Sequence, residues 1–347
     1  MKLLYESAVR DEAGLILLRS RLRAVAHRKK FVGVEIEKME LVCNEIVTNQ
    51  IKHARGSGMV QLWARGDTDQ SLDIFGLDYG PGIEDLEHSK KDGSTTTGTL
   101  GKGLGAIERL SKESAIYSLP ADARHINRWH GTAVWAHFLA EKQKTRPTIE
   151  YGAFLRAFQD SFYNGDYIKI KNGADRVQWV HLDGLGHGEL AAEAVLPARS
   201  ILEEEVELDE RISVLSEKLK LGRGAVGVLG EISASDEYLR ITGVGDMNAY
   251  VISDGERRTM SMASGILGRQ HRSVNVNEVS FSKRAVVITT SDGVKGWQID
   301  TLPQLWRLHP QMIAFVMGNI LGRSNDDTSL VVVRRAPEHI KKQKYKD

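Results

Sequence analysis

Apolar residues recur at three- and four-residue intervals in two stretches near the start of the chain. Between Asp11 and Lys30, the residues Leu15, Leu18, Leu22 and Val25 fall on one side of a helix. From about Glu35 to Ala54, Ile36, Met39, Cys43, Ile46 and Val47 form a second apolar face. Glu45, Asn49 and His53, spaced by four, make a polar stripe beside it. Then MVQLWAR at 59–65 and SLDIFGLD at 71–78 read as strands. After DYGPGI come a polar stretch and a glycine-rich loop, then a helix from about Gly103 to Ser111, and GTAVWAHFL at 131–139 alternates like a strand.

The stretch AEKQKTRPT, 140–148, is polar, charged and proline-containing, and it separates two regions that each look like a complete α/β unit. In the second, FLRAFQD and NGDYIKIKNG lead into VQWVHLDGLGHGELAAEAV, where a strand ends at Asp183, glycines follow and a helix begins near Glu189. ITGVGDMNAYVIS and GILGR read as further strands and turns. AVVITTSDGVKG is a strand ending at Asp292-Gly293, and GRSNDDTSLVVVRR carries paired aspartates into a final strand. The end, EHIKKQKYKD, reads as a solvated tail. The expected organisation is two α/β (α+β) domains, 1–139 and 149–336, with a charged tail at 337–347.

Composition narrows the function classes. The 347 residues carry 47 Lys+Arg against 46 Asp+Glu, a net charge of +1, which gives no reason to propose a nucleic-acid or membrane partner. The single cysteine, Cys43, excludes an internal disulfide framework and fits a reducing compartment. It sits on the apolar face of its helix, where burial is the expectation. No N-terminal apolar h-region is present and no apolar run nears the roughly 20 residues of a membrane span, so a cytoplasmic protein is expected.

Residues 98–107, GTLGKGLGAI, pose the first chemical question. A P-loop would need glycine at 96 and Ser or Thr at 103, where this chain has Thr96 and Gly103. Gly101, Gly103 and Ala106 satisfy a dinucleotide pattern, but no strand precedes them. Alone, the loop is as well read as a glycine-rich helix start. Lys102 either touches a phosphate or is simply solvated. His53 is read as packing rather than chemistry.

Context changes that. In order, the chain carries Glu45-x-x-x-Asn49-x-x-x-His53-Ala54, Asp78-x-Gly80-x-Gly82, Gly101-x-Gly103-x-Gly105 and Gly131-Thr132 entering a strand. This four-part order resembles the GHKL ATPase fold, and most of all the small switch kinases RsbT and RsbW, over residues 1–139. An amide oxygen on Asn49 suits Mg²⁺, which prefers hard oxygen ligands. Glu45, one turn earlier, is on the same side and can take a proton from an incoming hydroxyl. The resemblance implies that Asn49 is the Mg²⁺ ligand and that Asp78 accepts from the adenine amino group. It further implies that Gly80 and Gly82 turn closely against the base, and that Thr132 is an adenine-side contact. Gly101, Gly103 and Gly105 would form an ATP lid, with backbone N–H groups free to face phosphates at a helix start.

Aspartates at strand ends beside glycine are what a hard divalent-metal site needs, although any one Asp-Gly pair is more simply a turn. Taken in order, those of the second region resemble the PPM family of metal-dependent Ser/Thr phosphatases, in its SpoIIE/RsbX branch, over about 148–335. That resemblance implies a GHKL α/β sandwich followed by a PPM-type αββα sandwich. It implies that Asp183 bridges two metals, that the Gly184 carbonyl binds one, and that Asp292 and Asp326 complete the second metal's ligands. Asp166 would act through water. Asp326 and Asp327 compete for one role, and the motif favours the first. Many relatives carry a histidine where this chain has Leu185, and His187 reads as a loop residue or one behind the ligands.

The combined resemblance implies a kinase–phosphatase fusion of a bacterial partner-switching or stressosome-type pathway. ATP with Mg²⁺ would serve one domain and Mn²⁺ or Mg²⁺ the other, and the implied substrates are STAS-domain antagonist proteins. A different class of function stays open: an N-terminal domain that grips a partner such as a sigma factor, or senses nucleotide, with only the phosphatase catalytic.

Overall fold

The computed structural model describes residues 1–65, 70–89, 103–122, 128–140, 147–173, 175–233, 235 and 237–337. They form two compact units that interleave along the sequence. Unit 1 holds Met1–Lys144, Ala153–Arg156 and Val294–Gly322; unit 2 holds Thr145–Gly152, Ala157–Gly293 and the chain from Arg323 onward. The division is therefore not a single cut at 140–148, because two later segments cluster with the first unit.

Unit 1 contains β1 (Lys2–Ser7), α1 (Glu12–Arg28), α2 (Val34–Ala54), β2 (Gly58–Ala64), β3 (Ser71–Asp78), the short α3 (Leu86–Ser89), α4 (Gly103–Leu110), β4 (Glu113–Leu119) and β5 (Gly131–Leu139). The strands make one antiparallel sheet in the order β1-β2-β3-β5-β4. Asp11 starts α1 by accepting the Gly14 N–H on its carboxylate at 2.8 Å, a conventional N-cap. α2 stops where Arg55 turns left-handed (φ 53°) and the Gly56 N–H bonds back to the Gln50 carbonyl at 3.0 Å. The predicted apolar faces hold: Leu18, Leu22, Met39, Cys43, Ile46 and Val47 are buried in one cluster with Val60, Leu62, Leu72 and Ile74 of the sheet. Each such side chain contributes roughly 1.5–3 kcal/mol by leaving water. Trp63 and Phe75, on the opposite face of the sheet, meet Phe315 of a helix at Pro310–Leu321, with ring centroids at 5.3 and 4.9 Å.

Unit 2 is built on two antiparallel sheets. One has the order β13-β10-β9-β8-β7, from β7 (Asp166–Asn172), β8 (Arg176–Gly184), β9 (Ala225–Ser233), β10 (Tyr238–Val244) and β13 (Asn277–Ser280). The other has the order β12-β11-β14-β15-β6, from β6 (Ile149–Arg156), β11 (Asn248–Ser253), β12 (Glu256–Thr259), β14 (Val286–Thr290) and β15 (Thr328–Arg335). α5 (Glu189–Val195), a 3₁₀ segment at Leu196–Glu203 and α6 (Leu208–Leu219) pack with Val180, Leu182 and Leu229 of the first sheet. Trp179, Val228, Val287, Val331 and Val333 fill the space between sheets. β8 thus alternates: Val177 and Trp179 face the other sheet while Val180 and Leu182 face helices. The segment GILGR, read as possible strand, makes only isolated bridges such as Ala225 with Leu267. Among the described residues no helix is long and apolar enough to cross a membrane.

Candidate active sites

In unit 1 the Glu45–Asn49 spacing does bring the two side chains together: the Asn49 amide N–H donates to Glu45 Oε1 at 3.1 Å. That bond turns the amide oxygen away from the carboxylate, leaving it as the end that suits a cation. Gly103 opens α4 directly against this pair, and a Cβ there would lie 1.7 Å from Glu45 Oε1. The helix start can approach the acid only because residue 103 is glycine. Gly105, two residues along the same helix, is buried. Gly101 and Lys102 lie outside the described residues.

Asp78 ends β3 with its Oδ1 accepting two backbone N–H groups, from Gly80 at 2.8 Å and Thr132 at 3.0 Å. Burial raises its pKa, and those two bonds with the charges of His53 and His130 oppose the rise. Asp78, Gly80 and Thr132 are thus one hydrogen-bonded corner joining β3 to β5. Gly82 completes it with φ +76°, where a Cβ would meet the Leu119 carbonyl oxygen at 2.3 Å. His53 is exposed in the last turn of α2, so the packing role expected of it is not what the fold gives.

In unit 2 the register of β7 with β8 sets Asp166 opposite Asp183. The Gly184 N–H donates to the Gly165 carbonyl at 3.0 Å, closing the end of that pair. Asp292 follows β14 and Asp326 precedes β15. Asp183, Asp292 and Asp326 line a single cavity of about 680 Å³, together with His187 and with Asp246 from the turn that carries the chain from β10 in one sheet to β11 in the other. Burial raises the Asp183 pKa, and the carboxylates of Asp166, Asp292, Asp326 and Asp246 raise it further. Asp292 is raised for the same reasons, burial first.

Asp166 lies beneath, 3% exposed, with Oδ1 buried and without a hydrogen-bond partner. Burial raises its pKa; the Ser329 hydroxyl, which donates to Oδ2 at 2.6 Å, and the nearby Ser291 oppose the rise. Ser291 is close enough to ease the charge without satisfying Oδ1. The two members of the aspartate pair separate cleanly. Asp326 faces the cavity, whereas Asp327 is 4% exposed and spends both oxygens on backbone, accepting from Phe158 N–H at 2.7 Å and Gly165 N–H at 2.8 Å.

An oxygen-only set of like charges, with an orphaned buried carboxylate oxygen, fits a hard divalent cation. Among the described residues no three acidic, His or Cys side chains close a metal shell by themselves. His187, 5.8 Å from the Phe158 ring, lines the cavity.

The sequence reading passed over three participants. Asp246, in VGDMN, fell within a stretch read as strands and turns; it follows a strand end as Asp183 and Asp292 do, but with glycine before it rather than after it. His181 and Ser329 gave no signal, being single polar residues inside apolar strands.

A family model for the histidine kinase-like ATPase domain matches residues 9–127. Over 124 residues the chain is 30% identical to the serine/threonine-protein kinase RsbT of Bacillus subtilis strain 168, covering 35% of this chain and 92% of that protein. Among solved structures, RsbX in complex with magnesium aligns with a TM-score of 0.50 at 18% identity, over 56% of this chain and 98% of that one. The PP2C phosphatase domain of SpoIIE from Bacillus subtilis, with a fragment of its regulatory domain, aligns with a TM-score of 0.48 at 18% identity, over 94% of this chain and 96% of that one. What the RsbX likeness establishes is the fold.

Proposed function

The chain belongs to the RsbT family of histidine kinase-like ATPases, and from that premise we propose a two-enzyme switch protein. Unit 1 phosphorylates Ser or Thr on a STAS-domain antagonist with ATP and Mg²⁺. Unit 2 removes phosphate from phosphoserine or phosphothreonine in a partner-switching pathway, using Mn²⁺ or Mg²⁺. The observation that carries this reading is the shared acidic cavity of Asp183, Asp292 and Asp326, in the same chain as a Glu45–Asn49 pair set against a glycine helix start.

In unit 1, Glu45 takes the proton of the incoming hydroxyl, Asn49 holds Mg²⁺ through its amide oxygen, and the Asp78 corner receives adenine. Gly101, Gly103 and Gly105 present backbone to the phosphates. In unit 2, Asp183, the Gly184 carbonyl, Asp292 and Asp326 hold the cations, with Asp166 behind them. Bound divalent cations supply Lewis acidity toward the phosphoryl oxygens and acidify water. The aspartates fix where that chemistry occurs and orient the phosphate entering the cavity.

The test uses the full chain, labelled ATP and a STAS-domain protein. Label should enter the STAS protein with Mg²⁺, and leave it when Mn²⁺ is added after ATP is removed. Asp326→Asn should abolish release, while Asp327→Asn should keep cation dependence and lose stability. Release that persists in excess EDTA would remove the phosphatase reading.

A further inference from the structure

His181 sits at the centre of unit 2, 0% exposed, on the strand that carries Asp183 two residues later. It therefore points to the same side of β8 as Asp183, toward the second sheet. Its two ring nitrogens reach that sheet at once. Nδ1 lies 2.8 Å from Thr289 Oγ1 on β14, and Nε2 lies 2.7 Å from Ser329 Oγ on β15. Thr289 and Ser329 are likewise 0% exposed. The next bond in the chain is the one from Ser329 Oγ to Asp166 Oδ2 at 2.6 Å.

Counting protons orders this chain. Ser329 has one hydroxyl proton, and the Asp166 carboxylate, an acceptor only, takes it. Ser329 Oγ must then accept from His181, so the imidazole carries its proton on Nε2. A neutral imidazole protonated there has a lone pair on Nδ1, which accepts the Thr289 hydroxyl proton. With Asp166 ionised, as a cation ligand would be, one arrangement of protons satisfies every bond: Thr289 to His181, His181 to Ser329, Ser329 to Asp166. A histidine placed only to fill the sandwich would not need hydroxyls on both nitrogens and a carboxylate at the end of the line.

We propose that His181 is a positioning residue for the cation site, acting through Ser329 to lock the Asp166 carboxylate with Oδ2 engaged and Oδ1 presented to the cations. This rests on the phosphatase reading of unit 2. The network occupies Oδ2, and Oδ1 is buried without a hydrogen-bond partner. Partners standing behind metal ligands typically govern affinity by about 10–100-fold.

The experiment is titration of the nucleotide-free full chain with Mn²⁺, following free Mn²⁺ by electron paramagnetic resonance. Wild type and Asp183→Asn serve as reference; if wild type binds no Mn²⁺, the phosphatase reading itself fails. Given wild-type binding, Ser329→Ala and His181→Phe should weaken it about 10–100-fold, with the phosphopeptide KM unchanged. Ser329→Thr, which keeps the hydroxyl, and His181→Gln, whose amide N–H replaces that of Nε2, should restore most of it. Ser329→Ala removes one atom and carries the test if His181→Phe does not fold. Mn²⁺ affinity within twofold of wild type in Ser329→Ala, with or without a lowered metal-free Tm, overturns the proposal.

Discussion

Asp73, on the central strand of the unit 1 sheet, and Asp166, at the start of an edge strand in unit 2, are both buried, and their surroundings are opposite. Asp73 Oδ1 accepts from the Trp135 indole at 2.7 Å and lies 3.0 Å from His137 Nδ1, and Oδ2 faces Arg65 at 3.4 Å. Burial alone would raise its pKa, but Arg65, His137 and Trp135 together hold the carboxyl well below its usual range. Asp166 is pushed upward by burial and then by the charges of Asp327 and Asp292, against two serine hydroxyls. A buried carboxylate with its donors supplied is finished structure. One left among like charges, with an oxygen that meets no donor, is the arrangement a bound cation would stabilise, as the phosphatase proposal for unit 2 requires.

The same contrast runs through the two candidate sites. On the proposed reading, unit 1 would meet its nucleotide mainly with backbone beside Gly103 and with the Asp78 corner. The unit 2 site is made of the carboxylates themselves. Removing Asp183 should therefore erase binding in unit 2, whereas removing Glu45 should cost unit 1 only its chemistry. Asp183→Asn should cut phosphate release by more than about a hundredfold, beyond what loss of a supporting partner costs. In EDTA at pH 8 the same variant should melt about 2–4 °C higher, corresponding to roughly 1 kcal/mol of relieved repulsion. A lower metal-free Tm would break the comparison, because Asp183 would then be structural like Asp73.

Glu45→Ala should lose transfer by about 10²–10⁴-fold, the usual share of a general base, while ATP affinity measured by calorimetry stays near wild type. Loss of ATP binding here would erase the distinction between the sites. Gly103→Ala sharpens it with a smaller effect. The new Cβ would overlap the Glu45 carboxylate, which is the free end of a flexible side chain, so the acid moves and the helix does not. Transfer should fall by about 10–100-fold, the scale on which misplacing a reacting group by an ångström acts, with the thermal transition unchanged.

How much of this was legible in the sequence follows from what each signal depends on. The helices around Leu18 and Cys43 were readable because a 3.6-residue period survives any tertiary context. β1 (KLLYES) and β4 (ESAIYSL) were not, since edge strands of mixed polarity leave a weak alternation. Glu45 with Asn49, and the Asp-Gly pairs at Asp183 and Asp292, were readable because their chemistry sits at fixed local spacings. Resolving Asp326 from Asp327 needed the fold, because adjacent residues at a strand entry point to opposite sides and only coordinates say which side is the cavity. His181 was out of reach for a deeper reason. Its partners at 289 and 329 are distant in sequence, and burial, not motif, makes its hydrogen bonds matter. The return of Val294–Gly322 to unit 1 was hidden likewise, as an apolar helix does not announce which core it joins.

The smallest expected effect concerns Asp73, and it tests the finished half of the contrast. Its folded-state pKa lies below the ordinary carboxylate value, so the folded chain prefers the ionised form more strongly than the unfolded chain does. The unfolded chain therefore binds more protons between the two values, and stability rises with pH across that window. Asp73's contribution is complete above about pH 4 and is lost as pH falls through the folded value. At pH 7, Asp73→Asn should cost about 3 kcal/mol, the low end for breaking a buried charged pair, read from urea unfolding of the tryptophan signal. Below pH 4 the gap between variant and wild type should narrow, because the Asp73 carboxyl of the unfolded wild-type chain takes up a proton while the folded one stays ionised. Trp135 donates to Asp73 Oδ1, so its emission reports on this contact directly. A gap that stays constant from pH 7 to pH 3 would mean that packing around residue 73, not the charge held by Arg65, His137 and Trp135, is what the substitution disturbs.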